Sequence, residues 1–134
     1  MGVQQLSVRR FESNLAEIDY KVEAVCVNVG PDLVVVVGGG SGYHVGATSL
    51  TISMPSIKDA GKLTNSTYQV PVPGHKEEGL ARESSLLLSR SLKRNVLVSV
   101  GIHEDNIARQ NISLYVDCFN RLIEQILRAY QDLE

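Results

Sequence analysis

The sequence predicts an α+β domain in which a mostly antiparallel sheet carries two helices packed on it. Before residue 74, apolar and polar side chains alternate with the two-residue period of strands. After residue 74, two stretches show helical spacing of apolar side chains, with a short strand-like run between them. Strands that precede helices, rather than alternating with them, are typical of this class. At 134 residues, we expect residues 1–134 to form one domain.

Five segments before residue 74 are predicted to form strands. Residues 20–29 and 45–54 alternate apolar and polar side chains, as half-exposed strands do. Residues 32–37 form a β-branched run, which predicts a strand buried on both faces. Residues 6–11 and 67–72 are weaker candidates, and Pro71 places the second of them at an edge of the sheet or at the end of the strand.

The glycine-rich segment 38–43 is too short to contain a crossover helix. We therefore expect a hairpin-like connection there, with antiparallel strands on either side. Residues 77–94 are predicted to form a helix and residues 96–100 a short buried strand. The first helix has the stripe Leu80, Ser84, Leu87, Leu88 and Leu92.

The second helix is predicted from about residue 106 to the end of the chain. Its stripe comprises Ile112, Val116, Phe119, Ile123, Ile126 and Tyr130. So much apolar surface on one helix indicates that it covers the sheet, and also provides surface for a second protomer.

Composition and charge exclude several classes of protein. A net charge of −2 gives no field that would attract nucleic acid. The longest apolar run, residues 33–37, is too short to cross a bilayer. Residues 1–11 show no apolar segment of a signal peptide, so we expect a cytoplasmic location. Cys26 and Cys118 lack a CxxC partner and are predicted to be buried thiols.

Each of the three histidines follows a glycine by one or two residues, at the end of a predicted strand or the start of a predicted helix. The first, His44, follows the run Gly38-Gly39-Gly40-Ser41-Gly42-Tyr43. Outward-facing glycine amides can bind an anion, so this loop is a candidate phosphate site. The alternative is a flexible turn without a ligand. The run matches neither a dinucleotide-binding fingerprint nor a P-loop.

The second and third histidines have similar competing interpretations. His75 and Lys76 would lie at a helix N-terminus, where an anion is attracted, with Arg82 further along the helix. Alternatively, these side chains are simply solvated. His103 would project from the carboxyl end of a strand, where ligands commonly bind. The neighbouring Asp105 or Asn106 is expected to cap the second helix.

The spacing of these residues disfavours two kinds of chemistry. No His-x-x-x-His motif is present to fix two zinc ligands in register, so no metal site is predicted. No serine or cysteine lies in a nucleophile motif, which argues against a covalent hydrolase. The residues therefore favour a binding or accessory protein over a self-sufficient enzyme.

Three segments carry a family resemblance: GGGSGYHVGATSL (residues 38–50), GHKEEGLAR (residues 74–82) and VSVGIHEDNI (residues 98–107). Together they resemble the small accessory subunit of non-oxidative, gallate-type aromatic-acid decarboxylases, also described as a prenylated-flavin chaperone-like domain. The resemblance implies a fold similar to that of proteasome assembly chaperones, which pair as dimers, so we expect a homodimer. It also implies a UbiD-type decarboxylase as partner and prenylated FMN or FMN as the cofactor that is bound or stabilised.

The resemblance also implies a set of cofactor-binding residues. The matching positions are Gly39, Gly40, His44, Gly46, Gly74, His75, Lys76, Arg82, Gly101, His103 and Asn106. Ser41 and Gly42 would add loop amides for a flavin phosphate, and Tyr43 an aromatic wall for the ring. Two departures from the family pattern leave the ligand open: the run before His44 is unusually rich in serine and glycine, and Glu104 stands where an apolar residue is expected. Two alternatives therefore remain, an assembly chaperone without a small-molecule site and a small metal-assisted enzyme.

Overall fold

A computed structural model describes residues 6–16, 18–59, 61–72 and 77–132 of the chain. Within these ranges, six strands and two helices follow one another in the predicted order. Their bounds are β1 Leu6–Ser13, β2 Val22–Val29, β3 Asp32–Gly40, β4 Ala47–Pro55, β5 Leu63–Pro71, α1 Glu78–Leu92, β6 Val96–His103 and α2 Arg109–Gln131.

The six strands form one sheet in the order β1-β2-β3-β6-β4-β5. Strands β3 and β6 are parallel, with Leu33 opposite Val96 and Gly40 opposite His103. Each of the other neighbouring pairs is antiparallel. The predicted class, α+β with a mostly antiparallel sheet and two helices packed on it, is confirmed. Strand β5 lies at an edge, as its proline indicates.

The connection between β3 and β4 is not a hairpin, and that prediction is wrong. Strand β6 lies between β3 and β4, pairing in parallel with the first and antiparallel with the second. The loop that joins them, residues 41–46, therefore spans the width of an intervening strand. The two strands do run in opposite directions, as predicted, but their common ladder partner is residues 96–103, which begin about forty positions after the end of β4.

Both helices cover the same face of the sheet. Helix α2 lies over β1 and β2, where the Cys118 thiol is 3.3 Å from the Ser13 hydroxyl. Helix α1 lies over β4, β5 and β6, and the Ser85 hydroxyl is 2.9 Å from that of Ser49 and 2.8 Å from that of Thr51. Small side chains on α1 let its backbone approach the strands closely.

The core lies between this face and the two helices. Cys26 and Cys118 are both free and buried in it, as predicted. The largest side chains that are fully buried come from three strands and both helices: Val22, Leu33, Val35, Val37, Leu88, Val96, Val98, Val100, Phe119, Leu122, Ile126 and Tyr130.

The opposite face, here called the open face, is covered by neither α1 nor α2, and its composition corrects one prediction. The sequence predicts that β3 is buried on both sides, yet Val36 on the open face is 46% exposed. In β4 the apolar residues Leu50 and Ile52 point to the open face, while the polar Ser49 and Thr51 are fully buried beneath α1. The sheet thus carries apolar side chains on both faces, although both described helices pack on the same face.

The helices differ from the sequence prediction at their ends and on one stripe position. Leu87 lies outside the buried stripe of α1 and is 44% exposed. The N-cap of α2 is Ala108, which has no side-chain capping bond, so the capping role expected for Asp105 or Asn106 is wrong. Asn106 instead adopts a left-handed conformation, with φ 55°, in the β6–α2 connection. Neither α1 nor α2 is long and apolar enough to cross a membrane.

Candidate functional site

Two of the three histidine-containing turns meet at one edge of the sheet. Because β3 and β6 are parallel, their carboxyl ends lie side by side, and Gly40 pairs with His103. The loop of residues 41–46 folds back over this edge before β4 begins. Polar groups from the β3–β4 loop, the end of β6 and the start of α1 are therefore brought together, although they are far apart in the sequence.

The loop is fixed to the sheet by its own backbone amides. Those of Ser41 and Gly42 donate to the carbonyl oxygen of His103, at 2.7 and 3.1 Å. The amide of Gly40 donates to the Lys21 carbonyl at 3.2 Å, and that of Gly46 to the Val100 carbonyl at 3.0 Å. These four amides already have acceptors, so they do not form an anion-binding concavity. Their observed role is to hold the loop in place.

Glycine is required where the loop and β6 touch. Gly40 has φ 79°, and a Cβ at this position would collide with the His103 carbonyl oxygen. A Cβ at Gly101 would collide with the carbonyl oxygen of His44, and one at Gly46 with the carboxylate of Glu77. Three glycines of the resemblance therefore have a packing function, because Gly40, Gly46 and Gly101 let the loop backbone lie directly against the neighbouring strand and the start of α1.

His44 links the loop to the first helix. Its Nδ1 lies 3.2 Å from the carbonyl oxygen of Gly42, and its Nε2 lies 3.0 Å from Oε1 of Glu77. Both side chains are mostly buried, with exposed fractions of 21% for His44 and 10% for Glu77. The second carboxylate oxygen of Glu77, Oε2, is buried and has no hydrogen-bond partner. This is the least satisfied ionisable group in the part of the site that the structure describes.

His103 lies next to this pair and is more exposed. Its ring packs against that of His44 in an edge-on arrangement, with the two centroids 6.2 Å apart. Its Nε2 lies 2.9 Å from a carboxylate oxygen of Asp105. Two of the three histidines therefore converge, while His75, with Gly74 and Lys76, lies outside the described residues. Within the described ranges, no three histidine, cysteine or acidic side chains are grouped so as to hold a metal ion.

The remaining residues that the sequence singles out lie away from this group. Tyr43 lies on the open face, where its hydroxyl donates to Glu23 at 2.6 Å. Desolvation of that hydroxyl, together with Glu23, raises the pKa of Tyr43 to about 12. Gly39 packs against the backbone of β2, and Arg82 and Asn106 are exposed. None of these four residues lines the cleft described next.

An apolar cleft of about 580 Å³ adjoins the two histidines on the helix-covered side of the sheet. It lies between the start of α1, the end of β6 and the first turns of α2. Glu77 and His103 contribute to its wall, and so do Glu83 and Glu104. The rest of its lining is mainly aliphatic: Gly79, Leu80, Ile102, Ile107, Ile112, Tyr115 and Val116. A volume of this size accommodates a planar organic molecule of moderate size.

Glu104, which departs from the family pattern, has a structural partner in this cleft. The hydroxyl of Tyr115 donates to its carboxylate at 2.5 Å. Desolvation and this carboxylate raise the pKa of Tyr115 above its ordinary value. This hydrogen bond joins the segment between β6 and α2 to the first turns of α2, so Glu104 helps to fix one wall of the cleft.

Sequence reasoning misses Glu77 and the α2 wall of the cleft. In the sequence Glu77 resembles an ordinary first-turn acid, because nothing there indicates that it faces His44 from thirty-three positions away. The helical stripe assigns Ile112 and Val116 to the core, yet Ile112 is 51% exposed and lines the cleft. The sequence does contain one sign of this wall: two apolar residues lie one turn apart at the very start of the helix, beyond the end of the sheet.

Comparisons with known proteins agree with the resemblance. Residues 16–131 match the prenylated flavin chaperone LpdD-like domain. The chain is 26% identical over 113 residues to Protein LpdD of Lactiplantibacillus plantarum, an alignment that covers 84% of this chain and 79% of that protein. Its fold is similar to that of a chain in the crystal structure of a chaperone complex for yeast 20S proteasome assembly, with a TM-score of 0.60 at 8% identity. That match covers 93% of this chain and 98% of the other.

The contacts around Gly40 and Gly42 predict that alanine changes the free energy of unfolding by different amounts at the two positions. Gly40→Ala should lower the free energy of unfolding by roughly 2 kcal/mol or more, because its φ is positive and its Cβ would meet the His103 carbonyl. Gly42→Ala should change it by less than about 1 kcal/mol, because its nearest neighbour is the His103 ring at 3.5 Å. Urea denaturation of both variants measures the difference, and equal effects would contradict the packing role assigned to Gly40.

Proposed function

Because the chain belongs to the prenylated flavin chaperone LpdD-like family, we propose that it is an accessory protein that binds prenylated FMN or FMN for a decarboxylase of the UbiD type. The observation that carries this proposal is the apolar cleft beside His44, Glu77 and His103. Its walls offer aliphatic contacts to a planar ring system, and Glu77, Glu83, His103 and Glu104 add polar groups to them.

The chemistry of the cleft supports binding more than catalysis. The described residues include no nucleophile placed beside a base in the cleft. Three ionisable pairs lie in or beside it: His44 with Glu77, His103 with Asp105, and Tyr115 with Glu104. Such pairs fix side-chain positions and give a bound ring a preformed site. A protein that holds a reactive cofactor until its enzyme takes it up needs these properties.

We extend the proposal to a homodimer formed through the open face. Apolar strand residues on both faces are typical of a sheet that is covered on both sides. Val8, Val36, Tyr68 and Val70 on this face are between 46% and 69% exposed. Two such sheets can stack face to face at about 10 Å, which would leave the cleft, on the other side, free for the cofactor and the decarboxylase.

Flavin binding tests the proposed function directly. Titration of the protein with FMN and with prenylated FMN should quench flavin fluorescence or shift the absorbance spectrum with saturation. Ile112→Glu should weaken binding by roughly tenfold or more, because it replaces about 1.5–3 kcal/mol of apolar contact with a fourth carboxylate in the cleft.

The matched control is Ile57→Glu, the same substitution at a fully exposed position in the β4–β5 connection. It should leave flavin affinity unchanged. Absence of saturable binding of either flavin to the wild-type protein would refute the proposal, and equal effects of both variants would place the flavin outside this cleft.

The dimer is tested by sedimentation velocity at micromolar concentration. The wild-type protein should sediment as a dimer, and Val36→Lys should sediment as a monomer, because stacking would bury its charge between two sheets. Ile57→Lys serves as the control and should remain dimeric. Circular dichroism establishes that both variants are folded. A wild-type monomer, or a Val36→Lys dimer, would contradict an interface on the open face.

A further inference from the structure

Strand β5 is the last strand at one end of the sheet, and no other described strand lies along its outer edge. On its inner side it pairs with β4 in nine consecutive antiparallel pairs, from Leu63 opposite Pro55 to Pro71 opposite Ala47, without a bulge. A regular edge strand presents a row of backbone N–H and C=O groups that can pair with another extended chain. The outer edge of β5 is therefore a candidate contact surface.

Two hydrogen bonds establish which backbone groups of β5 face outward. The amide of Val72 donates to the Gly46 carbonyl oxygen at 2.8 Å. At the other end of the strand, the amide of Ser56 donates to the Lys62 carbonyl oxygen at 2.8 Å. In an antiparallel ladder, the N–H and C=O of one residue point to the same side, and successive residues alternate. The even-numbered residues of β5 therefore face β4, and the outward backbone groups belong to Leu63, Asn65, Thr67, Gln69 and Pro71.

The sequence of β5 leaves most of this edge unprotected against pairing. Natural edge strands are commonly protected by charged side chains, bulges or proline. Strand β1, at the opposite edge of the sheet, carries Arg9, Arg10 and Glu12, whereas residues 63–71 include no charged side chain. Pro71 lacks an N–H, but it stands at the last position of the strand and limits pairing only there.

The chain segments outside the described ranges are too short to cover this edge. The nine residues of β5 extend about 30 Å. Residues 73–76, which follow the strand, span at most about 14 Å, so they cannot pair along it as far back as Thr67. Residues 1–5 span at most about 18 Å and precede β1, which lies five strand spacings, about 24 Å, from β5. Residues 133–134 follow α2, which lies over β1 and β2.

We propose that an extended segment of the decarboxylase subunit pairs with the outer edge of β5 and adds a seventh strand to the sheet. The kind of contact follows from the outward backbone groups, because an extended polypeptide offers donors and acceptors at the same two-residue spacing. The identity of the partner rests on the proposed function.

The position of β5 favours the decarboxylase as the occupant. The side-chain amide of Gln69 donates to the Glu78 carbonyl oxygen at 2.5 Å, and Glu78 lies between the cleft-lining residues Glu77 and Gly79. A strand added to β5 would therefore hold the decarboxylase beside the proposed flavin site. A second copy of this chain suits the edge less well. Each homodimer would have two such edges, and pairing between copies would join homodimers into an open chain.

Amide hydrogen exchange tests the pairing residue by residue. In the free protein, the outward amides of Leu63, Asn65, Thr67 and Gln69 should exchange rapidly, while the alternate amides, which bond to β4, should be protected. In the complex with the decarboxylase subunit, the outward amides should exchange more slowly by about tenfold or more. The amides of β1, at the opposite edge, serve as the control and should not change. Exchange into the ¹⁵N-labelled protein is read by NMR after the complex has been quenched and dissociated.

A proline at the centre of β5 tests the same contact through binding affinity. Thr67→Pro removes one outward N–H and leaves the hydrogen bonds to β4 in place, so it should weaken binding of the decarboxylase subunit by about tenfold or more. Thr67→Val is the matched control. It loses the same hydroxyl contact with Thr51, at 2.9 Å, but keeps the N–H, so it should bind as tightly as the wild-type protein. Circular dichroism establishes that both variants are folded, and the exchange measurement needs no variant.

Flavin titration distinguishes a failure of the pairing from a failure of the proposed function. Thr67 is not a lining residue of the cleft, so Thr67→Pro should bind FMN as the wild-type protein does. If neither flavin binds the wild-type protein, the proposed function falls, while slower exchange of the outward amides in the complex would still support the pairing. If the decarboxylase subunit does not bind, or binds without slowing these amides, the pairing is wrong. Outward amides that are already protected in the free protein would also overturn it, because a second copy or another segment would then occupy the edge.

Discussion

The parallel pairing of β3 with β6 is the constraint on which the candidate site depends. Without that pairing, the glycine-rich loop and the turn after β6 would be about sixty residues apart with no reason to meet. The pairing brings Gly40 beside His103, and the loop amides then bond to the His103 carbonyl. The loop in turn delivers His44 to Glu77 at the start of α1. Substituting any of the close-contact glycines would therefore disturb the ionisable pair as well as the loop.

The cleft beside this pair combines largely aliphatic walls with a few ionisable side chains. A planar ring gains free energy by leaving water for such walls. Its ionisable lining residues, among those that the structure describes, are Glu77, Glu83, His103, Glu104 and Tyr115.

Sequence reasoning predicts the fold class better than the chemistry of the site. The alternation in β2 and the spacing in α2 indicate elements of the right type, because local periodicity reports which face of an element is buried. Local periodicity cannot predict the strand order, because the insertion of β6 between β3 and β4 depends on residues that are distant in the sequence. The glycines suggest an anion-binding role in the sequence, whereas the structure engages their amides in backbone hydrogen bonds. Glu77 escapes sequence reasoning because its importance comes entirely from the partner that the fold places beside it.

A crystal structure of the protein with FMN or prenylated FMN bound tests the central claim most directly. The account predicts density for the tricyclic ring between the start of α1 and the first turns of α2, against Ile112 and Val116. Ring density on the open face would contradict the account.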